Sequence, residues 1–133
     1  MAFLTPLLRE QLDTAIRKNR QPLVHTLVFF VPGLLHLKNA AGQLPLHRAA
    51  RSGSVSLVTY LLAHGAVLDA RDDSNWSALH HAAEKGHTRV IRYLLEHGAH
   101  LDTGPSANAT PLQLAEINHF TTVVQLLRDY VTT

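Results

Sequence analysis

The sequence predicts an all-α solenoid, an array of stacked helix pairs joined by short β-hairpin-like loops, and three observations carry that expectation. The stretch from Leu44 to Ala70 nearly recurs from Ser77 to Thr103, with His47 and His80, Gly53 and Gly86, and Gly65 and Gly98 each 33 residues apart. A fixed period of this size marks a repeat architecture. Within each copy the apolar residues fall at i, i+1, i+4 and i+5, the stripe of an amphipathic helix. They are Leu57, Val58, Leu61 and Leu62 in one copy, and Val90, Ile91, Leu94 and Leu95 in the next. The glycines stand where helices should end, because glycine enters the left-handed conformation that closes a helix.

Taken in order, residues 11–38 read as a degenerate first repeat. Leu12, Ala15 and Ile16 mark an inner helix, and Leu23, Val24, Leu27 and Val28 an outer one. Aligning Leu23 with Leu57 needs a shift of 34, which places one extra residue near Phe29–Pro32. Asn19 stands in the glycine position, and asparagine tolerates positive φ better than most residues. The polar side chains of Glu10, Asp13, Arg17 and Lys18 suit a terminal face turned to water.

Residues 39–71 make the first clear repeat. Pro45 suits the first turn of a helix, where its missing N–H costs nothing. Leu46 and Ala49 point into the stack, and the small Ala49 and Ala50 admit close helix approach. Residues 72–104 repeat the scheme, with Ser77 as N-cap, Leu79, Ala82 and Ala83 in the core, and residues 69–75 as a projecting loop or hairpin. Residues 105–130 form a C-terminal capping repeat. Thr110, Pro111 and Leu112 keep the helix start, but Gln113 replaces the motif histidine and His119 the inter-helix glycine. Arg128 takes the place of Leu62 and Leu95, and a charge in that stripe predicts that no further repeat stacks there.

The run Pro45-Leu46-His47-Arg48-Ala49-Ala50, followed by Gly53, a helix and Gly65-Ala66, resembles the ankyrin repeat. The resemblance is strong over residues 39–104 and extends over 11–130. It implies a non-catalytic adaptor or scaffold that binds a partner protein or peptide through its concave face. It also implies that His47 and His80 bridge backbone groups of adjacent loops. Partners of such arrays meet the loop tips and the exposed face of the inner helices. Those places are Ala40, Ala41, Gln43, Arg48, Arg51 and Ser52 in the first clear repeat, and Asp73, Ser74, Trp76, His81, Glu84 and Lys85 in the second. In the third they are Ser106, Ala107, Ala109, Leu114, Ile117 and Asn118. The strip runs from basic (Lys18, Arg48, Arg51) to apolar (Ala107, Ala109, Leu114, Ile117), a gradient that would orient an extended partner. Trp76 stands out, since tryptophan is enriched among residues that dominate binding. Packing on the neighbouring loop explains it equally well.

Composition narrows the other function classes. With 133 residues, 46% apolar and 17% charged, the chain is a single globular domain. Cysteine is absent, so neither a disulfide framework nor a thiolate metal site is available. The formal charge of +2 is scattered, which argues against a nucleic-acid partner. The apolar run Val24–Leu35 is broken by His25, Thr26 and Pro32 and is shorter than the ~20 residues that span a bilayer, so no membrane partner is expected. Residues 1–8 lack the features of a secretory leader. A monomer in the cytoplasm or nucleus is the expectation, with Phe29–Phe30 as a possible association patch.

No cofactor and no enzymatic activity are expected. The chain lacks a nucleophile elbow and a phosphate-cradling glycine loop. His80, His81 and Glu84 do not make a zinc-protease helix, since adjacent histidines point about 100° apart. Two alternatives complete the reading. One is direct inhibition of a partner enzyme, because the size and layout resemble those of cyclin-dependent-kinase inhibitors. The other, less favoured, is a histidine-based metal-binding protein or metalloenzyme, against which the Gln113 break in the histidine row stands.

Overall fold

The structure, a computed structural model, describes residues 4–101 and 109–132. Among the described residues eight α-helices follow one another: α1 (Leu4–Arg17), α2 (Gln21–Phe30), α3 (Pro45–Ser52), α4 (Val55–Ala63), α5 (Ala78–Lys85), α6 (Thr88–Glu96), α7 (Pro111–Ile117) and α8 (Thr121–Thr132). A 3-10 turn over Pro32–His36 follows α2, in the region where the extra residue of the first repeat was expected. Helices α1, α3, α5 and α7 stack side by side as an inner layer, while α4, α6 and α8 make an outer one. Among the described residues there is no strand. The loops at residues 39–43 and 72–76 are tight turns, closed by Asn39 N–H to Gln43 C=O (2.8 Å) and Asp72 N–H to Trp76 C=O (2.9 Å), and joined by Asp73 N–H to Gly42 C=O (3.1 Å).

One backbone hydrogen bond fixes the register of the whole array. Arg20, Ser54, His87 and Phe120 each donate an N–H to the carbonyl of Ala15, Ala49, Ala82 and Ala115, at 2.8, 3.3, 2.9 and 3.0 Å. Those four alanines are at most 1% exposed, which lets the inner helices approach closely. Equivalent outer-helix positions then follow: Leu27, Leu61, Leu94 and Leu127 form a buried row through the stack.

The inter-helix turn shows why glycine is needed in the middle and not at the ends. Gly53 and Gly86 have φ of +80° and +74°, and a Cβ there would lie 2.6 Å from the His87 ring and 2.9 Å from the Phe120 ring. Asn19 (φ 54°) and His119 (φ 60°) hold the same conformation with a side chain. The residue equivalent to His87 that faces Asn19 is the small Ser54, and no described repeat follows His119. Gly86→Ala should therefore cost more than Gly98→Ala, which bears similar φ (+87°) but nothing within 4 Å. Both share roughly 1 kcal/mol of left-handed strain, so the difference between their urea midpoints measures the displaced Phe120 ring.

Two expectations for the first repeat need correction. Asp13 does not face water: its side chain is 14% exposed. It accepts from Asn39 Nδ2 at 2.7 Å and Arg48 Nε at 3.1 Å, because the next repeat presents both donors to it. Leu23 is not buried with its outer-helix neighbours but 39% exposed, since no described helix precedes it in the stack. Gln113 keeps half of the histidine's work: its Oε1 accepts Thr110 N–H at 2.9 Å while Thr110 Oγ1 caps Gln113 N–H at 3.1 Å.

Candidate protein-binding face

Each motif histidine begins as a helix cap. His47 Nδ1 accepts Leu44 N–H at 3.0 Å, and its Nε2–H donates to the Ala70 carbonyl at 2.9 Å, tying α3 to the loop ahead of the next repeat. His80 Nδ1 accepts Ser77 N–H at 3.1 Å within the capped start of α5. Burial holds the His47 imidazole below its ordinary pKa, although the Ala70 carbonyl favours the proton. These rings are structural.

The next layer of the site is organised by Asp72. Its Oδ1 takes the N–H groups of Ser74 and Trp76, both at 2.9 Å, which fixes the turn. Its Oδ2 accepts His81 Nε2–H at 2.7 Å, with both side chains 3% exposed. Burial alone would raise the Asp72 pKa, but the Trp76 N–H and the His81 hydrogen bond outweigh it and hold the carboxylate ionised, below its usual range. Burial lowers His81 in turn, against the pull of Asp72, so at neutral pH the pair is a neutral imidazole donating to a carboxylate. The bare Nδ1 of His81 then faces Arg51 Nη1 at 3.5 Å.

Charged side chains on the same face pair with one another across repeats. Arg51 Nη1 donates to Glu84 Oε1 at 2.7 Å, while Arg48 is held by Asp13. His87 Nε2–H donates to the Arg51 carbonyl at 2.8 Å. Above His81 lies the half-buried Trp76 ring, 5.1 Å from it between centroids. Together these groups line an open pocket of about 440 Å³ bounded by Ala41, Gln43, Arg48, Arg51, Asp72, Ser74, Trp76, His81 and Glu84.

A family model described as ankyrin repeats, in three copies, matches residues 12–104 and again residues 46–132. The chain belongs to the ankyrin-repeat family. Ankyrin repeats generally mediate protein–protein interaction, and no helix among the described residues is long and apolar enough to cross a membrane.

On this ankyrin array, seven of the twelve residues expected to bind a partner come together around the pocket: Gln43, Arg48, Arg51, Ser74, Trp76, His81 and Glu84. The other five lie elsewhere. Ser52 and Lys85 are exposed beyond the pocket, and Asp73 is exposed with Lys38 Nζ 2.6 Å from its carboxylate. Ile117 is 67% exposed on α7, and the Asn118 amide donates to the Leu114 carbonyl at 2.9 Å. Two expectations change. His81 belongs to the buried Asp72 pair and is not a freely exposed contact. Leu114 is only 7% exposed, because α7 turns it into the stack. At the basic end of the graded strip Lys18 is exposed, whereas Arg48 and Arg51 are each paired with a carboxylate, Asp13 and Glu84. Ser106 and Ala107 lie outside the described residues. Among the described residues no three His, Asp or Glu side chains gather as metal ligands.

Sequence reasoning missed Asp72, Asp13 and Asn39. A signal for two of them was present: Asn39 and Asp72 stand 33 residues apart, each ahead of a short run of small or turn-forming residues. Asn39 Oδ1 accepts the N–H groups of Ala41 and Gln43 as Asp72 Oδ1 accepts those of Ser74 and Trp76, the side-chain turn such residues favour.

A pH dependence follows from the two depressed imidazoles. The unfolded chain binds protons at these sites below about pH 6.5, before the folded chain does. Stability conferred by neutral His47 and His81 is therefore present above that pH and lost as pH falls through their folded values. His47→Gln keeps the Leu44 cap, as Gln113 does at Thr110, while removing one titrating group. Urea midpoints of wild type and His47→Gln should converge between pH 7 and 5; a constant gap would mean that His47 binds its proton equally well in the folded and the unfolded chain.

Proposed function

We propose that this chain is a non-catalytic adaptor that holds a partner protein or peptide segment on its concave face, centred on the pocket walled by Trp76. The observation that supports this best is the convergence of Gln43, Arg51, Ser74, Trp76 and Glu84 on one open pocket. Two consecutive repeats supply its walls, and the cross-repeat Arg51–Glu84 pair keeps it in shape. Half-buried Trp76 gives a partner a large apolar contact at little conformational cost. Because the arginines are already paired, the partner is selected by shape and hydrogen bonding more than by net charge. The protein acts as a monomer in the cytoplasm or nucleus.

The test is affinity capture from a native lysate with mass-spectrometric identification, comparing wild type with Trp76→Ala, Arg51→Glu/Trp76→Ala and, as a control outside the pocket, Lys85→Ser. A protein retained by wild type and the control but lost from both pocket variants is the expected result, with each variant retaining the helical circular-dichroism signal of wild type. If every captured protein survives both pocket changes, the concave-face assignment is wrong.

A further inference from the structure

The two ends of the array are built differently. At the C-terminal end the positions that meet a following repeat elsewhere are closed. Glu116 stands where Ala50 and Ala83 are fully buried, and Arg128 where Leu95 is, with Arg128 Nη2 and Glu116 Oε2 3.6 Å apart. His119 puts a side chain where Gly53 and Gly86 leave room for a neighbouring ring. At the N-terminal end the equivalent positions are open. Leu23 is 39% exposed, whereas Leu57, Val90 and Val123, which occupy the same place in the other repeats, are at most 1% exposed. Gln11 is exposed where Pro45, Ala78 and Pro111 are buried. A groove of about 420 Å³ lies there, lined by Glu10, Gln11, Thr14, Ala15, Arg20 and Leu23.

We propose that this groove is a docking site for a helix pair of another protein, seated as a preceding repeat would be. Its shape argues for that occupant: the same face is filled by a helix pair in each of the three other repeats. Its charge argues likewise. Arg20 holds the position from which His87 donates to the Arg51 carbonyl near the end of α3. A guanidinium placed there meets the C-terminal carbonyls of a docked helix, where a cation is favoured. The docked pair carries glycine or another small residue at its inter-helix turn, so that Arg20 can pass over it, and an apolar stripe against Leu23. A second copy docking head to tail is disfavoured by Glu116, His119 and Arg128. The exposed Phe29–Phe30 pair is not part of this site, since Ala63 and His64, and Glu96 and His97, which stand in the same places, are exposed too. The inference stands apart from the concave-face reading.

The chain supplies its own probe. Glu116→Ala/His119→Gly/Arg128→Leu restores the inner-repeat residues on the C-terminal face, and Leu23→Asp in the same molecule blocks its N-terminal face. Mixed with wild type, this probe should form a 1:1 complex of twice the 14.7 kDa monomer mass by sedimentation equilibrium. Leu23→Asp in the wild-type component should return the mixture to monomer mass. No complex with a folded probe, or one that survives Leu23→Asp, overturns the proposal. Wild type that dimerises alone through Leu23 would identify a second copy as the occupant and also overturn it. Independently of the probe, Leu23→Asp in wild type should leave the urea midpoint nearly unchanged while Leu57→Asp abolishes folding. Equal damage by the two would show that Leu23 is core and sink the idea.

Discussion

Leu94→Ala is expected to lower the unfolding free energy by about 2–5 kcal/mol, the range found when a fully buried leucine is truncated in a rigid core. Leu94 is 0% exposed and sits in the continuous row of Leu27, Leu61, Leu94 and Leu127. Helices stack on both sides of it, α4 before and α8 after, so neither neighbour can close the cavity without breaking its own register. Leu27→Ala, at the open end and 8% exposed, should cost distinctly less. Urea unfolding followed by circular dichroism reads both. In a stack held by nearest-neighbour contacts, the Leu94 change should also broaden the transition as the two halves begin to melt separately. Equal losses at the two positions would argue against an open N-terminal end.

Asp72→Ala is expected to cost about 3 kcal/mol, since hydrogen bonds to a charged acceptor each contribute roughly 1.5–3 kcal/mol and are not additive. The change strips the acceptor from the Ser74 and Trp76 N–H groups and from His81 Nε2–H together. Asp72→Asn separates the parts. Its carbonyl still serves the two backbone N–H groups, but its amide faces a donor on His81. The imidazole must then shift its proton to Nδ1, toward Arg51, which already points a donor there. The expected order of stability is wild type, Asp72→Asn, Asp72→Ala. Trp76 fluorescence should change in both variants at neutral pH, because the ring rests on His81. An Asp72→Asn variant as stable as wild type would show that the His81 hydrogen bond contributes little.

The fold was legible because its determinants are local and periodic. Four turns at a spacing of 34, 33 and 33 residues, each preceded by alanine and followed by an apolar stripe, leave little freedom in how the helices stack. The loops were less legible. Either a loop or a hairpin was expected over residues 69–75, and residues 39–43 and 72–76 close as tight turns in which the Asn39 and Asp72 side chains satisfy their own backbone N–H groups.

By itself the sequence determined the repeat period, the inner and outer helices, and the glycine-equivalent places of Asn19 and His119, and it singled out seven of the residues that line the pocket beside Trp76. Tertiary structure decided which of those residues are paired or buried. Arg48 and Arg51 read as a basic patch in the chain, yet each is paired by a carboxylate from an adjacent repeat, some 35 residues away for Asp13 and 33 for Glu84. His81 reads as a surface ring, yet Asp72 draws it into the core. Only the stack also shows that Leu23 and Leu57, alike in pattern, differ in burial. The physical reason is common to all of these. Periodicity specifies which face a side chain occupies, whereas pairing and burial depend on what the neighbouring repeat, or its absence, places opposite that face.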